Sequence, residues 1–493
     1  MKTIGFIACF FATFAMVNGQ AVSDALRYSY LNTNGSARSA GVAGSMGAIG
    51  GDFGALSGNI AGLGGYRFSE IAFSPTLYFN QTNSNLRNTG SLTDNKYGTS
   101  IDHLGIVIVR NGYEGARWKH VNYAIGYNRL ADFNKSFYFD GATTGSITDH
   151  WREKALRLKS DQLDDFGAGL AYEAGAIYDS NGDNVYESDF IDFPNKSVAK
   201  TQTVNYRGSL NELTFGLAGN YRDQLMIGAA VGIPMISYIE EKSYAESDPG
   251  NQNPVFEGLG YTEYLKTQGN GINLKLGAIL KLHNLFRLGA SFQTPTLLEQ
   301  SDTYETSVSY SYLDKGKLNT FNKKSPQLGE YTYNLITPAR ASLSFGSVIG
   351  RTGFVSASVE YINYGASQFD FVDANGNSDD IAYQNELNKE IDKQYQSTLN
   401  YNLGAEIAID DLRLRGGVKL LGSPYANDND LTRIYSAGLG YRSGKFFMDI
   451  ALQHTRYDDG YLPYTTSSND LQLVNNKYQL NRMVVTVGYK IAR

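Results

Sequence analysis

The clearest hydrophobic pattern lies at the C-terminal end of the chain. Met483, Val485, Val487, Tyr489 and Ile491 alternate with Val484, Thr486, Gly488 and Lys490. Side chains of an extended strand point alternately to two faces, so this segment predicts a strand with one apolar and one mainly polar face. The alternation recurs upstream. Ile71, Phe73, Leu77 and Phe79 interleave with Ala72, Ser74, Thr76 and Tyr78. Val121, Tyr123, Ile125 and Tyr127 interleave with Asn122, Ala124, Gly126 and Asn128, and Ile272, Leu274, Leu276 and Ala278 with Asn273, Lys275, Gly277 and Ile279. About 14 such strands are predicted. They fall near 68–80, 101–111, 117–130, 208–220, 223–238, 269–283, 285–312, 329–348, 351–365, 398–410, 411–421, 431–442, 445–457 and 476–492.

The connections sort by length. Odd-numbered strands are followed by the longer loops, among them 131–207, 238–268 and 365–397. Even-numbered strands are followed by tight turns such as Asn220-Tyr221-Arg222-Asp223, His283-Asn284 and Arg442-Ser443-Gly444. An even strand count with short turns at one end and long loops at the other is the organisation of a bacterial outer-membrane barrel. A soluble sandwich has no reason to sort its loops this way. The expected fold is therefore all-β: an antiparallel transmembrane barrel over 67–493, with both chain ends in the periplasm of a Gram-negative cell.

Two segments depart from the strand pattern. Residues 20–66 are dense in glycine, with Phe53, Leu56, Ile60 and Leu63 as the apolar bulk. So small a segment, joined at the short-turn end, predicts a plug inside the barrel. The other is the loop 131–207. Residues 147–163 predict a helix, capped by Thr148 or Asp149, with Trp151, Ala155, Leu156 and Leu158 beside Arg152, Glu153, Lys154, Arg157 and Lys159. A loop this long with its own apolar residues points to a functional lid or binding element.

Residues 1–19 read as a secretory leader: Lys2, an apolar stretch from Ile4 to Val17, and the small residue Gly19. The only cysteine, Cys9, lies within it, so disulfide and thiol chemistry are excluded from the mature chain. No later apolar run approaches a spanning helix, which leaves strands to cross a bilayer. The 36 Tyr and 25 Phe, against 2 Trp, suit aromatic girdles at the two membrane interfaces. A net charge of −6 without a basic stripe excludes nucleic acid as a partner.

Catalytic and metal motifs are missing. The glycine-rich stretch lacks a Gly-Lys-Ser/Thr ending. Asp179-Ser180-Asn181-Gly182-Asp183 and Asp373-Ala374-Asn375-Gly376-Asn377 lack the spacing of a calcium loop and read as polar turn tips. His103, His120, His150, His283 and His454 form no metal or triad spacing. No enzyme, metal or cofactor is expected.

Several separated motifs together resemble the FadL family of long-chain fatty acid and hydrocarbon transporters. They are Ala37-Arg38-Ser39-Ala40-Gly41-Val42-Ala43-Gly44, Gly50-Gly51-Asp52-Phe53-Gly54-Ala55-Leu56-Ser57 and Asn59-Ile60-Ala61-Gly62-Leu63-Gly64 near the start. Gly271 to Gly277, Phe286 to Pro295, Thr337-Pro338-Ala339, Ser358 to Tyr361, Leu403 to Glu406, Leu412 to Gly417, Ser423-Pro424 and Gly438 to Arg442 follow in order. The resemblance implies a 14-stranded barrel closed by an N-terminal hatch. It implies passive capture of a fatty acid or other apolar molecule by the outer loops, then release past a shifted hatch and a kinked third strand. On this resemblance the gating residues are Asn59, Ile60, Ala61 and Gly62, with Gly126 the expected kink. The family's Asn-Pro-Ala is here Asn59-Ile60-Ala61.

The predicted ligand contacts are Trp151, Arg152, Leu156, Arg157, Leu158 and Phe166, a cation-bearing apolar face suited to a carboxylate with a hydrocarbon tail. The expected partners are a hydrophobic small molecule, outer-membrane lipid and the barrel assembly machinery, with the protein a monomer. The competing readings are a water-filled porin, a surface protein that binds without transporting, and a receptor for haem or another apolar cargo.

Overall fold

The computed structural model describes residues 22–31, 35–87, 89–193, 195–282, 285–371, 378–467 and 471–491. The leader at 1–19, the turn His283-Asn284 and the segment Asp373 to Asn377 lie outside them.

Nineteen strands form one antiparallel sheet. They are β1 (Glu70–Leu86), β2 (Leu92–Asn111), β3 (Trp118–Asp132), β4 (Lys135–Thr144), β5 (Ser197–Tyr221), β6 (Leu225–Ser247), β7 (Phe256–Lys281), β8 (Phe286–Gln293), β9 (Leu297–Asp314) and β10 (Lys317–Lys324). Then come β11 (Gly329–Ile336), β12 (Arg340–Ile349), β13 (Gly353–Asn363), β14 (Gln368–Asp370), β15 (Ser397–Ile409), β16 (Leu412–Gly422), β17 (Leu431–Ser443), β18 (Phe446–Tyr461) and β19 (Val474–Lys490). The helices are α1 (Val22–Ser29), α2 (Ala37–Gly41), α3 (Ile147–Ala155), α4 (Ala168–Glu173) and α5 (Ser378–Gln394).

The sheet closes where β19 pairs with β1, from Glu70 opposite Lys490 to Leu86 opposite Val474. Four wall strands are each built from two pieces: β3 with β4, β8 with β9, β11 with β12, and β13 with β14. The β10 strand is a hairpin arm on β9. The wall is thus a closed barrel of 14 strands. Closure leaves no unpaired rim along the barrel, which a strand-built span requires in lipid.

Burial follows the predicted alternation. Ile71, Phe73 and Leu77 are exposed, while Ala72, Ser74 and Thr76 are buried. Ile272, Leu274 and Leu276 point outward, and Asn273 and Lys275 inward. Exposed Leu, Ile, Val, Phe and Tyr residues recur on all the wall strands and make an apolar belt that suits hydrocarbon, not water. No helix among the described residues is long and apolar enough to cross a membrane.

Several strands run further than the sequence pattern indicates. The β4 strand and the start of β5 lie inside the expected loop 131–207, which leaves 145–196 as the connection. The expected loop 238–268 shrinks to 248–255, between β6 and β7. Beyond the belt both faces of a strand are wet or packed on polar groups, so the apolar alternation fades while backbone pairing continues. The expected loop 365–397 carries β14 and α5.

Candidate functional site

The lumen is filled at the short-turn end by residues 36–66. Two short 3₁₀ turns, Phe53–Leu56 and Ile60–Gly65, carry the apolar residues. Phe53, Leu56, Ile60 and Leu63 are buried against Ala72, Val107, Ala124, Ala218 and Ala230 of the wall. Burying four such side chains stabilises the docked segment by on the order of 6–12 kcal/mol at most. The wall also bonds to its backbone. Asn122 Nδ2 donates to Leu63 O (2.6 Å), Lys275 Nζ to Leu56 O (3.0 Å), Arg287 to Ile49 O (2.7 Å) and Gln453 Nε2 to Ala40 O (3.2 Å).

Ion pairs reinforce this floor. Arg38 of α2 grips Glu406 of β15 with two bonds of 2.9 and 3.0 Å. Glu406 is shared with Arg415 (2.6 Å), which continues to Asp449 (2.7 Å) and so to Arg442 (2.9 Å). Lys275 pairs with Glu212 as well. Wall glycines allow the segment to approach: a Cβ on Gly277 would meet Ala61 N at 2.9 Å, and one on Gly417 would meet Ala43 N at 2.9 Å. Sequence reading missed the connected set Arg38, Glu406 and Arg415 and the separate pair of Lys275 with Glu212. The available signal was a charge at an inward position of a membrane strand.

The four expected gating residues sit together in this floor. Asn59 accepts a bond from Ala61 N (3.1 Å) and donates to Gly47 O (2.8 Å) and to Ala278 O of the wall (3.2 Å). Ile60 is fully buried, Ala61 packs with Met226 and Ile279, and Gly62 O accepts from Gly51 N (2.8 Å). Ile60 is the first residue of its turn, where a proline would also fit.

Gly126 is not where the third wall strand bends. It stays paired with Gly105 and Thr214, and its bare Cα makes room for Leu56. The strand breaks between Arg129 and Ala131, where the register shifts, and at Phe133-Asn134. There Asp132 accepts a bond from Asn134 N (2.8 Å), an Asx turn that replaces the ladder.

The bend leaves a gap in the ladder between β2 and β3. Pairing of β2 with β3 runs from Asn111 opposite His120 to His103 opposite Asn128 and stops. The upper part of β2, Leu92–Asp102, pairs with β1 alone. The β4 strand lies inside β1, held by Asn80 donating to Asn134 O and Thr82 to Ser136 O, both at 2.8 Å. The resulting window is framed by Asp102 on one side and Arg129 and Asp132 on the other. Arg129 lies 4.0 Å from Asp102 and 3.0 Å from Asp132, and Asp102 also pairs with Arg482. Above it, Lys96 Nζ donates to Asn205 Oδ1 and Tyr206 O, both at 2.8 Å.

Above the floor, toward the long-loop end, lies a chamber of about 1530 Å³. It is lined by α1 (Leu26, Arg27) and Tyr30 just after it, by α3 and the loop that follows (Trp151, Phe166), and by Tyr238, Tyr261, Tyr304, Tyr457 and Tyr461 of the wall strands. Leu130 to Lys135 also line it, so the chamber reaches the window from inside. The volume exceeds that of a usual small-molecule pocket, and the lining mixes aromatic faces with charge.

Of the expected ligand contacts, Trp151 and Phe166 line the chamber and four do not. The helix α3 ends at Ala155, short of the predicted 163. Its cap is Ser146, upstream of the predicted Thr148 or Asp149, and Asp149 completes a capping box. Glu246 of β6 holds this end, accepting from Ser146 Oγ (2.6 Å) and Ile147 N (2.8 Å). Arg157 has a φ of 68° and ends any helical run, which leaves Leu156 and Arg157 exposed and Leu158 half-buried off the chamber. Arg152 turns back to Asp149 (3.2 Å) and Tyr186 O (2.8 Å). Trp151 is buried and meets Tyr261 edge-on at 5.4 Å. Beside it, burial lowers the pKa of His150, against the hydrogen bond of Nδ1 with Thr465 O (2.6 Å).

The carboxylate of Asp179 is consumed by its own turn, accepting from Gly182 N (2.9 Å), Asp183 N (3.2 Å) and Asn184 N (3.0 Å). Among the described residues no group of three or more metal-ligating side chains is present.

No family model matches the sequence, and no curated protein does. Solved structures do match by shape. A FadL homologue of Pseudomonas aeruginosa aligns with a TM-score of 0.56 at 11% identity, covering 94% of this chain and 100% of that one. The toluene transporter TodX of P. putida aligns with a TM-score of 0.52 at 14% identity, again over 94% and 100%. A closed 14-stranded wall with this course over nearly the full length of both chains is the FadL-type fold, and this protein has it.

Proposed function

We propose that the protein is a passive channel by which hydrophobic small molecules, long-chain fatty acids among them, cross the outer membrane of a Gram-negative cell. The observation that carries this reading is the continuity of chamber and window above a filled floor. In this reading a molecule captured at the long-loop end meets the packed segment 36–66 and leaves sideways where β2 and β3 cease to pair. A polar solute gains nothing from leaving into lipid, whereas an apolar one does. The likeness to a FadL homologue and to a toluene transporter agrees with this cargo class. In this reading the long loops face outward, the chain ends lie in the periplasm, and Asn59 to Gly62 tune the fit of the hatch. No energy source is involved, so flux follows the gradient.

The test is uptake of a labelled long-chain fatty acid by cells carrying the intact protein, beside cells carrying it without 20–66. Protein-dependent uptake that changes on deletion supports the channel. Absence of uptake with a folded barrel in the outer membrane refutes it.

A further inference from the structure

We infer that the lipid-facing surface of the barrel carries a site for a phosphorylated glycolipid of the outer leaflet, built on Arg433 and Arg456, a site that rests on the reading above only in placing the long-loop end outward. Side chains on the outer face fall into rows that cross five strands, from β17 through β18, β19 and β1 to β2. One row is Tyr435, His454, Asn481, Phe79 and Tyr97, each opposite the next in the ladder. The next row toward the long-loop end is Arg433, Arg456, Gln479, Gln81 and Asn95. On the other side of Tyr435 the face turns apolar, with Leu439 and Leu452 exposed. Ten residues of β18 separate Phe446, at the short-turn end, from Arg456. That is about 33 Å along the strand and, at the usual tilt, about 25 Å along the barrel axis, the height of an apolar band. Arg456 therefore stands at the level of the lipid head groups.

Arg433 and Arg456 are directly opposed and both exposed. Like charges placed so destabilise a ladder. Neither guanidinium has a partner among the described residues. Asp458, one row further up, faces Lys477 across the ladder, and neither it nor Asp430, just before β17, pairs with either arginine. Other outward cations toward the long-loop end stand differently: Arg207 pairs with Glu241 (2.6 Å), Lys324 pairs with Glu305 (2.8 Å), and Lys266 of β7 is single. Opposed Cα atoms of an antiparallel pair lie about 4.5–5.5 Å apart, so the two guanidinium forks can converge on one phosphate. Each fork matches phosphate oxygens with two parallel bonds, which an ammonium does not. Gln479 adds an amide donor in the same row. A phosphate seated there relieves the repulsion, and acyl chains joined to it run down over Tyr435, Leu452 and Leu439. The occupant that fits both halves of this surface is a phosphate on an acylated sugar, the chemistry of lipid A.

The experiment titrates the whole barrel in detergent with diphosphoryl lipid A and with the same lipid freed of its phosphates, and reads bound lipid by native mass spectrometry. Heat-modifiable migration first shows that each variant is folded. The phosphorylated lipid is expected to bind at least about tenfold more tightly. Arg433→Gln with Arg456→Gln is expected to erase that preference, Arg433→Lys with Arg456→Lys to keep only part of it, and Lys266→Gln to leave it intact. Equal binding of the two lipids, or a preference that survives Arg433→Gln with Arg456→Gln, overturns the site. Release of the lipid by an equal concentration of inorganic phosphate overturns the lipid assignment, since the acyl chains then contribute nothing. These outcomes are read without uptake, so the channel reading stands or falls on its own test.

Discussion

Loosening the floor at one ion pair tests how the N-terminal segment is held. Arg38→Met removes the two-bond grip on Glu406. A hydrogen bond to a charged group contributes about 1.5–3 kcal/mol. The Arg38 side chain is 20% exposed and Glu406 keeps Arg415, so no buried charge is orphaned. The lower end applies, about 1.5 kcal/mol, or roughly a tenfold rise in the population of the undocked segment. Glu406→Gln is the harsher change. It removes the charge that both Arg38 and Arg415 face, and Arg415 is fully buried, so the cost rises to about 3–5 kcal/mol and more than about a hundredfold. The assay is thiol labelling at Ala40→Cys, a buried site on α2 in a chain whose only native cysteine is Cys9 of the leader. Slow labelling of a buried thiol reports the open population. A labelling rate within twofold of the parent for both variants, or Arg38→Met exceeding Glu406→Gln, refutes the argument that this network latches the segment.

Three further outcomes follow from the same geometry. Gly277→Ala places a Cβ 2.9 Å from Ala61 N, a backbone atom that cannot swing aside; overpacking of about 1–3 kcal/mol should speed labelling at Ala61→Cys roughly tenfold, and an unchanged rate contradicts it. Trp151→Ala empties the chamber wall beside Tyr261 and should cost about 3–5 kcal/mol of α3 docking, seen as amide exchange over 147–155 about a hundredfold faster or more; protection equal to the parent contradicts it. Burial lowers the pKa of His150 below its unfolded value, so the contribution to α3 docking is complete above that ordinary value of roughly 6.5 and is lost as the pH falls through it toward the folded pKa. Trp151 emission in a Trp118→Phe chain should therefore report weaker docking on acidification, and His150→Gln should abolish that slope.

The wall was legible because lipid imposes a rule on every residue that touches it. Ile71, Phe73 and Leu77 alternate with Ala72, Ser74 and Thr76 since hydrocarbon accepts only one face, and that rule can be read two residues at a time. The strand count follows from it. The rule ends at the edge of the belt. There β4, the top of β5 and the arm β10 keep their pairing with no apolar face to announce it, so they were read as loop. The end of α3 escaped for a related reason. Leu156 and Leu158 continue a helical apolar spacing, while the φ of Arg157 is set by its backbone bond to Asn184 O, far along the chain.

By itself the sequence determined which residues meet lipid and how many strands close the ring. Only the tertiary structure decided where the wall opens, because the break at Arg129 to Asn134 is the point where three strands cease to share one register. It alone joined Arg38 to Glu406, Asn59 to Ala278 and Lys135 to Tyr478. These pairs lie hundreds of residues apart and are brought together by barrel closure, a global constraint that leaves no local period to read.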